Sequence, residues 1–214
     1  MAWYLPDARI ESLAGRLLAR YEANYGVITA PPVPVERLVE DVLNLDILWE
    51  RVDEPEGVTV LAALVPRDHL IVLNETRREL IGDTSGLYST ILGHEAGHWE
   101  MHVDKAMLQQ AGFPGLESPY GCLYRKDGPE NAPRETQAHR FMAHLLMPSP
   151  LLRDAVAGVD LMHWSELYRL RDLFGVTISA LTIRLEQLGR LHIGLNGMLH
   201  PSRAEYQGQA RLGA

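Results

Sequence analysis

His94-Glu95-Ala96-Gly97-His98 lies within Ser85 to Val103, a run with helical spacing, and its reading decides how the rest of the chain is understood. On a helix, residues four apart stand one turn above each other on the same face, so both imidazoles can reach a single Zn²⁺ at about 2.0–2.1 Å. Glu95 sits about 100° round that helix, close enough to accept a proton from a metal-bound water without displacing it. An HExxH pattern arises by chance only about 0.03 times in a chain with this histidine and glutamate content. The competing reading is a helix with two surface histidines and no metal. Ser89, Thr90, Ile91 and Leu92, just before the motif, fit a buried helix instead.

A catalytic zinc needs a third protein ligand and an open position for water. His102 is one more turn along the same helix, but ligands at i, i+4 and i+8 span about 12 Å, too far for one ion. It is expected to pack beside the ligands rather than join them. The next helix, Arg134 to Leu146, offers a better candidate. Its residues Ala138, Phe141, Leu145 and Leu146 face the core, and Glu135 lies one turn before Ala138 on that side. A carboxylate there needs a partner, and a metal is a good one. The plainer alternative is a helix-start acid favoured by the helix dipole. Glu130, in the preceding loop, is a weaker rival.

Around these helices the chain alternates in character. Asp7 to Asn24 carries apolar residues at helical spacing, Pro31-Pro32-Val33-Pro34 forms a stiff turn, and Val35 to Leu43 repeats the helical pattern. Asp46 to Val52, Val58 to Val65 and Leu70 to Leu73 are short β-rich runs, read as a small, mostly antiparallel sheet. Gly112 to Pro133 is a Gly/Pro-studded connection of a length that is usually functional or disordered. His163 to Phe174 and Ile178 to Leu188 flank a tight Gly175-Val176-Thr177 turn with helix-turn-helix spacing. Asn196-Gly197, within His192 to Leu199, signals a hairpin.

The segments STILGHEAGHWEMH (Ser89 to His102) and ETQAHRFMAHLLMP (Glu135 to Pro148) resemble the signature pair of the ImmA/IrrE family of metallopeptidases. In that family an HExGH-type helix is followed by an ExxANxFAxxLLMP helix. HLIVLNETRR, from His69, resembles the strand before the motif helix, and FGVTISALTIRLEQLG, from Phe174, resembles a later family segment. Together they cover roughly residues 30 to 190 in the family's order. The resemblance implies an α+β, zincin-like metallopeptidase domain whose sheet packs on the HExxH helix, followed by the helix-turn-helix-like segment. It implies zinc on His94, His98 and Glu135, with Glu95 as general base. It also implies proteolysis of XRE-type helix-turn-helix repressors, a cleavage that relieves repression of mobile-element or stress-response genes. One position departs from the pattern: His139 stands where the family usually has Asn. It could orient the Glu135 carboxylate, stabilise a developing oxyanion, or act as a fourth ligand that closes the site; a supporting role beside the ligands is favoured.

The domain layout expected is a metallopeptidase domain over 1–150, a helix-turn-helix-like segment and hairpin over 151–200 packed on it, and a tail over 201–214. A formal charge of −8 and a pI near 5.6 exclude a broad cationic surface, so neither nucleic acid nor an anionic membrane is an expected partner. In the helix pair, Arg169, Arg171, Arg184 and Arg190 are mixed with Glu166, Asp172 and Glu186. Ser179 and Thr182 are the only modest base-reading candidates there, so packing or substrate docking is expected ahead of DNA binding. The single cysteine, Cys122, permits no intrachain disulfide. It could occupy the open zinc position in a latent enzyme, although a loop cysteine without a role is the plainer reading. Tyr120 and Tyr124, in the same loop, could hydrogen-bond a tetrahedral intermediate. The N-terminus has no signal-peptide pattern and no stretch is long enough to span a membrane, so a cytoplasmic protein is expected.

The function expected is a zinc endopeptidase acting on a protein substrate, by attack of metal-bound water assisted by Glu95. Mn²⁺ or Fe²⁺ could also fill a His/His/Glu site. The alternative is a metal-stabilised regulator that binds a repressor or DNA without cutting. It would retain the three ligands and tolerate loss of Glu95.

Overall fold

Ile10, Ala14, Leu17 and Tyr21 recur at helical spacing and form the buried stripe of the first helix, α1 (Asp7–Tyr25), in the computed structural model, which describes residues 5–54, 59–84, 86–105 and 132–212. Gly26, at φ +93°, ends α1 and returns its N–H to Glu22. The prolines that follow hold the chain extended. The next helical run divides into a short α-helix α2 (Val35–Arg37) and one wider π-helical turn over Leu38–Val42, which buries Leu38 and Val39.

Three strands follow: β1 (Asp46–Glu50), β2 (Ala62–Val65) and β3 (Leu70–Asn74), in the spatial order β1-β3-β2. β3 runs parallel to β1, with Ile47 opposite Ile71, and antiparallel to β2, with Ala63 opposite Val72. The sheet is therefore mixed rather than mostly antiparallel. The physical reason lies in the side chains. Leu70 to Leu73 is apolar throughout and almost fully buried, so β3 takes the centre. β1 alternates exposed and half-buried residues and stays at an edge. β2 forms the other edge and packs against the motif helix.

Buried Asn74 holds the end of this sheet. Its Nδ2 donates to the Val60 carbonyl at 2.8 Å and its backbone N–H to Leu61 at 2.9 Å. Its Oδ1 accepts from the Thr76 N–H and hydroxyl, at 3.1 and 2.9 Å. These bonds fix where Val60 and Leu61 run.

After α3 (Arg78–Asp83) comes the motif helix α4 (Leu87–His102), which crosses α5 (Ala132–Leu146) closely. A Cβ added to Gly93 would lie 3.0 Å from the Met142 side chain, and one added to Gly97 would lie 3.1 Å from the Ala138 carbonyl oxygen. The two glycines give α4 a flat face against α5. Ile91, Leu92, Phe141 and Leu145 join the same core as Leu17, Leu38, Leu64 and Leu73.

Helices α6 (Ser149–Val156), α7 (Trp164–Phe174) and α8 (Ile178–Gln187) complete this core through Leu152, Leu167, Phe174, Val176, Leu181 and Leu185. The α7–α8 turn seats on the start of α4. Gly86, at φ +73°, leaves the room that the Val176 backbone occupies, and the Thr177 N–H donates to Thr90 Oγ1 at 3.2 Å. The Thr177 hydroxyl also caps α8 by accepting from the Ala180 N–H at 3.2 Å. Of the two side chains weighed as base readers on α8, Thr182 is buried and hydrogen-bonds the Ser179 carbonyl. Arg184 is buried as well.

A two-stranded hairpin pairs β4 (His192–Ile193) with β5 (Leu199–His200). The residues expected as a tail form helix α9 (Arg203–Leu212) instead. Tyr206 anchors it, with its ring 4.9 Å from that of His192 and 5.0 Å from that of His200. The connection expected over Gly112 to Pro133, with Tyr120, Cys122, Tyr124 and Glu130, lies outside the described residues up to 131; its last two residues already belong to α5. No described helix is long and apolar enough to cross a membrane.

Candidate metal centre

His94 and His98 lie one turn apart on α4, and Glu135 comes from the first turn of α5. Because the glycine face lets the helices approach, the three side chains meet. His94 Nε2 is 3.0 Å from His98 Nε2. Glu135 reaches both rings, with Oε2 at 3.2 Å from His94 Nε2 and Oε1 at 3.3 Å from His98 Nε2. All three donor atoms lie within 4.8 Å of one another, and among the described residues no other group of histidine, cysteine and acidic side chains converges in this way.

The electrostatics suit a cation. Burial pulls the His94 pKa down to about 4, so at neutral pH the ring is uncharged and has a lone pair to offer. Burial alone would push the Glu135 carboxyl up, but its contacts with His94 and His98 outweigh this and hold it far below the usual carboxylate range. Glu135 Oε2 is buried without a well-directed hydrogen bond. Two imidazole nitrogens and a carboxylate, facing each other at these distances, are the donor set of a divalent metal site. The residues present fit the ion, and the same set also accepts Mn²⁺ or Fe²⁺.

Glu95 is buried on α4 and lines the same cleft, which has a volume of about 160 Å³. One wall is polar, made by His94, Glu95, His98, Glu135 and His139. The other is formed by Val60, Leu61 and Ala62 from the sheet edge and by Leu87, Thr90 and Ile91 from α4. Sequence reasoning missed the Val60–Ala62 wall. Its place depends on strand order and on the Asn74 hydrogen bonds, neither of which has a local signal.

His139 is exposed at the mouth of the cleft. Its Nδ1 lies 2.8 Å from the Glu135 carbonyl oxygen, and its ring stands 4.4 Å from that of His94. A carbonyl only accepts, so Nδ1 carries the proton. The bond is to the Glu135 backbone rather than its carboxylate, and His139 is not one of the converging donors. His102 lies beside His98, with the two Nδ1 atoms 3.1 Å apart.

Comparison with known families bears on this arrangement. Residues 89–186, which include the HExxH residues and all of α5, match the family model Peptidase_M78, described as an IrrE N-terminal-like domain. No curated protein matches the chain.

Proposed function

We propose, from the match of residues 89–186 to the Peptidase_M78 family model, that this chain is a metal-dependent endopeptidase whose ligands are His94, His98 and Glu135. The observation that carries the reading is the convergence of these three side chains, from two helices, at the floor of a cleft that Glu95 also lines. The favoured ion is Zn²⁺. When bound, a divalent ion there supplies Lewis acidity toward water and a peptide carbonyl.

The chain's own residues do the rest. His94 is held neutral by burial and keeps its lone pair directed at the site. Glu135 is held ionised, so the centre keeps one negative charge from the protein. Glu95 stands next to His94 on the helix and acts as general base. Its carboxylate takes a proton from water as the carbonyl is attacked and hands it to the departing amine. The apolar wall of Val60, Leu61 and Ala62 lies opposite and excludes bulk water from one side of the substrate chain.

The substrate proposed is a protein, a helix-turn-helix repressor of the XRE type, in line with the resemblance to the ImmA/IrrE family. Cleavage would relieve repression of stress-response or mobile-element genes. The test pairs Glu95→Gln with the parent on the repressor encoded beside the gene. The variant should retain one equivalent of metal and lose cleavage by at least about 10²-fold. Cleavage by Glu95→Gln at the parental rate would remove the general-base assignment. Gel-shift binding of an uncut repressor by both proteins would favour the non-cleaving regulator.

A further inference from the structure

His98 must present Nε2 to the site, because that atom faces His94 Nε2 at 3.0 Å and Glu135 Oε1 at 3.3 Å. A neutral imidazole that offers a lone pair at Nε2 carries its proton on Nδ1. That proton then needs an acceptor. The atom in place is His102 Nδ1, at 3.1 Å, one turn further along α4. Two nitrogens this close share one proton, so His102 Nδ1 is the acceptor and its own proton sits on Nε2. The other ring nitrogen of His102, Nε2, is buried without a well-directed hydrogen bond, beside Gln137, which is buried on α5 two residues after Glu135. The two rings form a directed pair in which His98 Nδ1–H donates to His102 Nδ1.

We propose that His102 is the positioning residue of the metal centre, fixing the proton of His98 on Nδ1 and the ring's orientation through the His98–His102 hydrogen bond. The proposal rests on the metal-centre reading above. A ligating histidine is more often braced by a carboxylate, a backbone carbonyl or water. Here the brace is a neutral imidazole, which accepts a hydrogen bond without adding a second negative charge to a centre that already holds Glu135. The alternative is that His102 only fills space, in which case any side chain of similar volume would serve.

The experiment uses the full chain and Zn²⁺ itself as the probe, with affinity measured by chelator competition in the parent, His102→Asn, His102→Leu and His94→Ala. An Asn carbonyl oxygen can replace the accepting nitrogen, and Leu cannot. His102→Leu should weaken Zn²⁺ binding about 10- to 100-fold, whereas His102→Asn should stay within about threefold of the parent. In ¹⁵N-labelled zinc-bound parent, scalar coupling across the N–H···N bond should connect His98 Nδ1 to His102 Nδ1, with His102 protonated at Nε2. This NMR measurement needs no variant, so it decides even if His102→Leu fails to fold. Parental affinity in His102→Leu, or His102 protonated at Nδ1 in the zinc-bound parent, would overturn the proposal and leave the metal centre intact. If the parent binds no Zn²⁺, or His94→Ala binds it as tightly as the parent, the metal-centre reading fails and the proposal falls with it.

Discussion

Gly97 and Ala138 touch backbone to backbone where α4 crosses α5: a methyl group on Gly97 would come within 3.1 Å of the Ala138 carbonyl oxygen. This contact sets the spacing at which Glu135 can reach the two histidines. At Gly93 the nearest atoms belong to the flexible Met142 and Leu146 side chains, which can yield.

Gly97→Ala should therefore be more destabilising than Gly93→Ala. Each substitution gains about 1 kcal/mol of helix propensity, but overpacking against a backbone that cannot move costs about 1–3 kcal/mol. Urea unfolding of the metal-free proteins gives the order. Zn²⁺ titration should show weaker binding for Gly97→Ala alone. Equal midpoints for the two variants would remove the role assigned to the Gly97–Ala138 contact.

Gly86→Ala should be severely destabilising, by more than about 3 kcal/mol. The added Cβ would fall within 2.1 Å of the Val176 backbone, and the position has φ +73°, which a side chain rarely adopts. Soluble yield and thermal midpoint report the effect. A midpoint within a few degrees of the parent would show that the turn is not seated on Gly86 in solution.

Metal removal should lower the thermal midpoint of the parent and leave Glu135→Gln nearly unmoved. A ligand present at 100 times its Kd adds about 2.7 kcal/mol to the folded state, and a chelator takes that away. A Glu135→Gln protein that still gains stability from equimolar Zn²⁺ would show that the ion is held without this carboxylate.

Stability of the metal-free protein should fall on acidification, partly through His144. Its ring is buried on α5, 3.3 Å from Asp7 Oδ2 and 3.7 Å from Glu11 Oε1 on α1, with Arg184 approaching from α8; Arg140 stands 3.9 Å from Asp7. Burial, with the Arg184 charge, lowers its pKa from 6.5 despite the two carboxylates. Below that value the unfolded chain binds the proton before the folded one does, so stability drops as pH falls; above it both forms are neutral and His144 contributes nothing. His144→Asn should show a shallower loss between pH 7 and pH 5 in chelator-treated protein, and no difference in slope above pH 7. His94 and His102, also held low by burial, keep part of the slope in both proteins. Parallel acid limbs for parent and variant would exclude His144 as a source.

The one-face spacing of His94 and His98 was legible because it depends on helix geometry within five residues. Glu135 was legible only in part. Its position at a helix start also fitted a dipole-stabilised acid, and the family resemblance separated the two readings. The cleft wall at Val60–Ala62 was not legible, since strand order is set by which run is apolar on both sides and consecutive strands need not pair. The same reason made the sheet mixed where neighbouring runs suggested hairpins. Helix α9 was missed because the partners of its anchoring Tyr206, His192 and His200, become neighbours only when the hairpin closes.

The seating of Val176 over Gly86 has a practical side. α7 and α8 act as a clamp on the near end of the rod that carries both histidines, about 12 Å from the first of them. A shortened gene product trimmed to the two signature helices would lose that clamp and the part of the shared core that Leu167, Phe174, Val176 and Leu181 supply. Assays of chemistry and of metal uptake should therefore keep the whole length through Leu191, and substitutions in the Gly175–Thr177 turn should register at the histidines even though they touch neither ring.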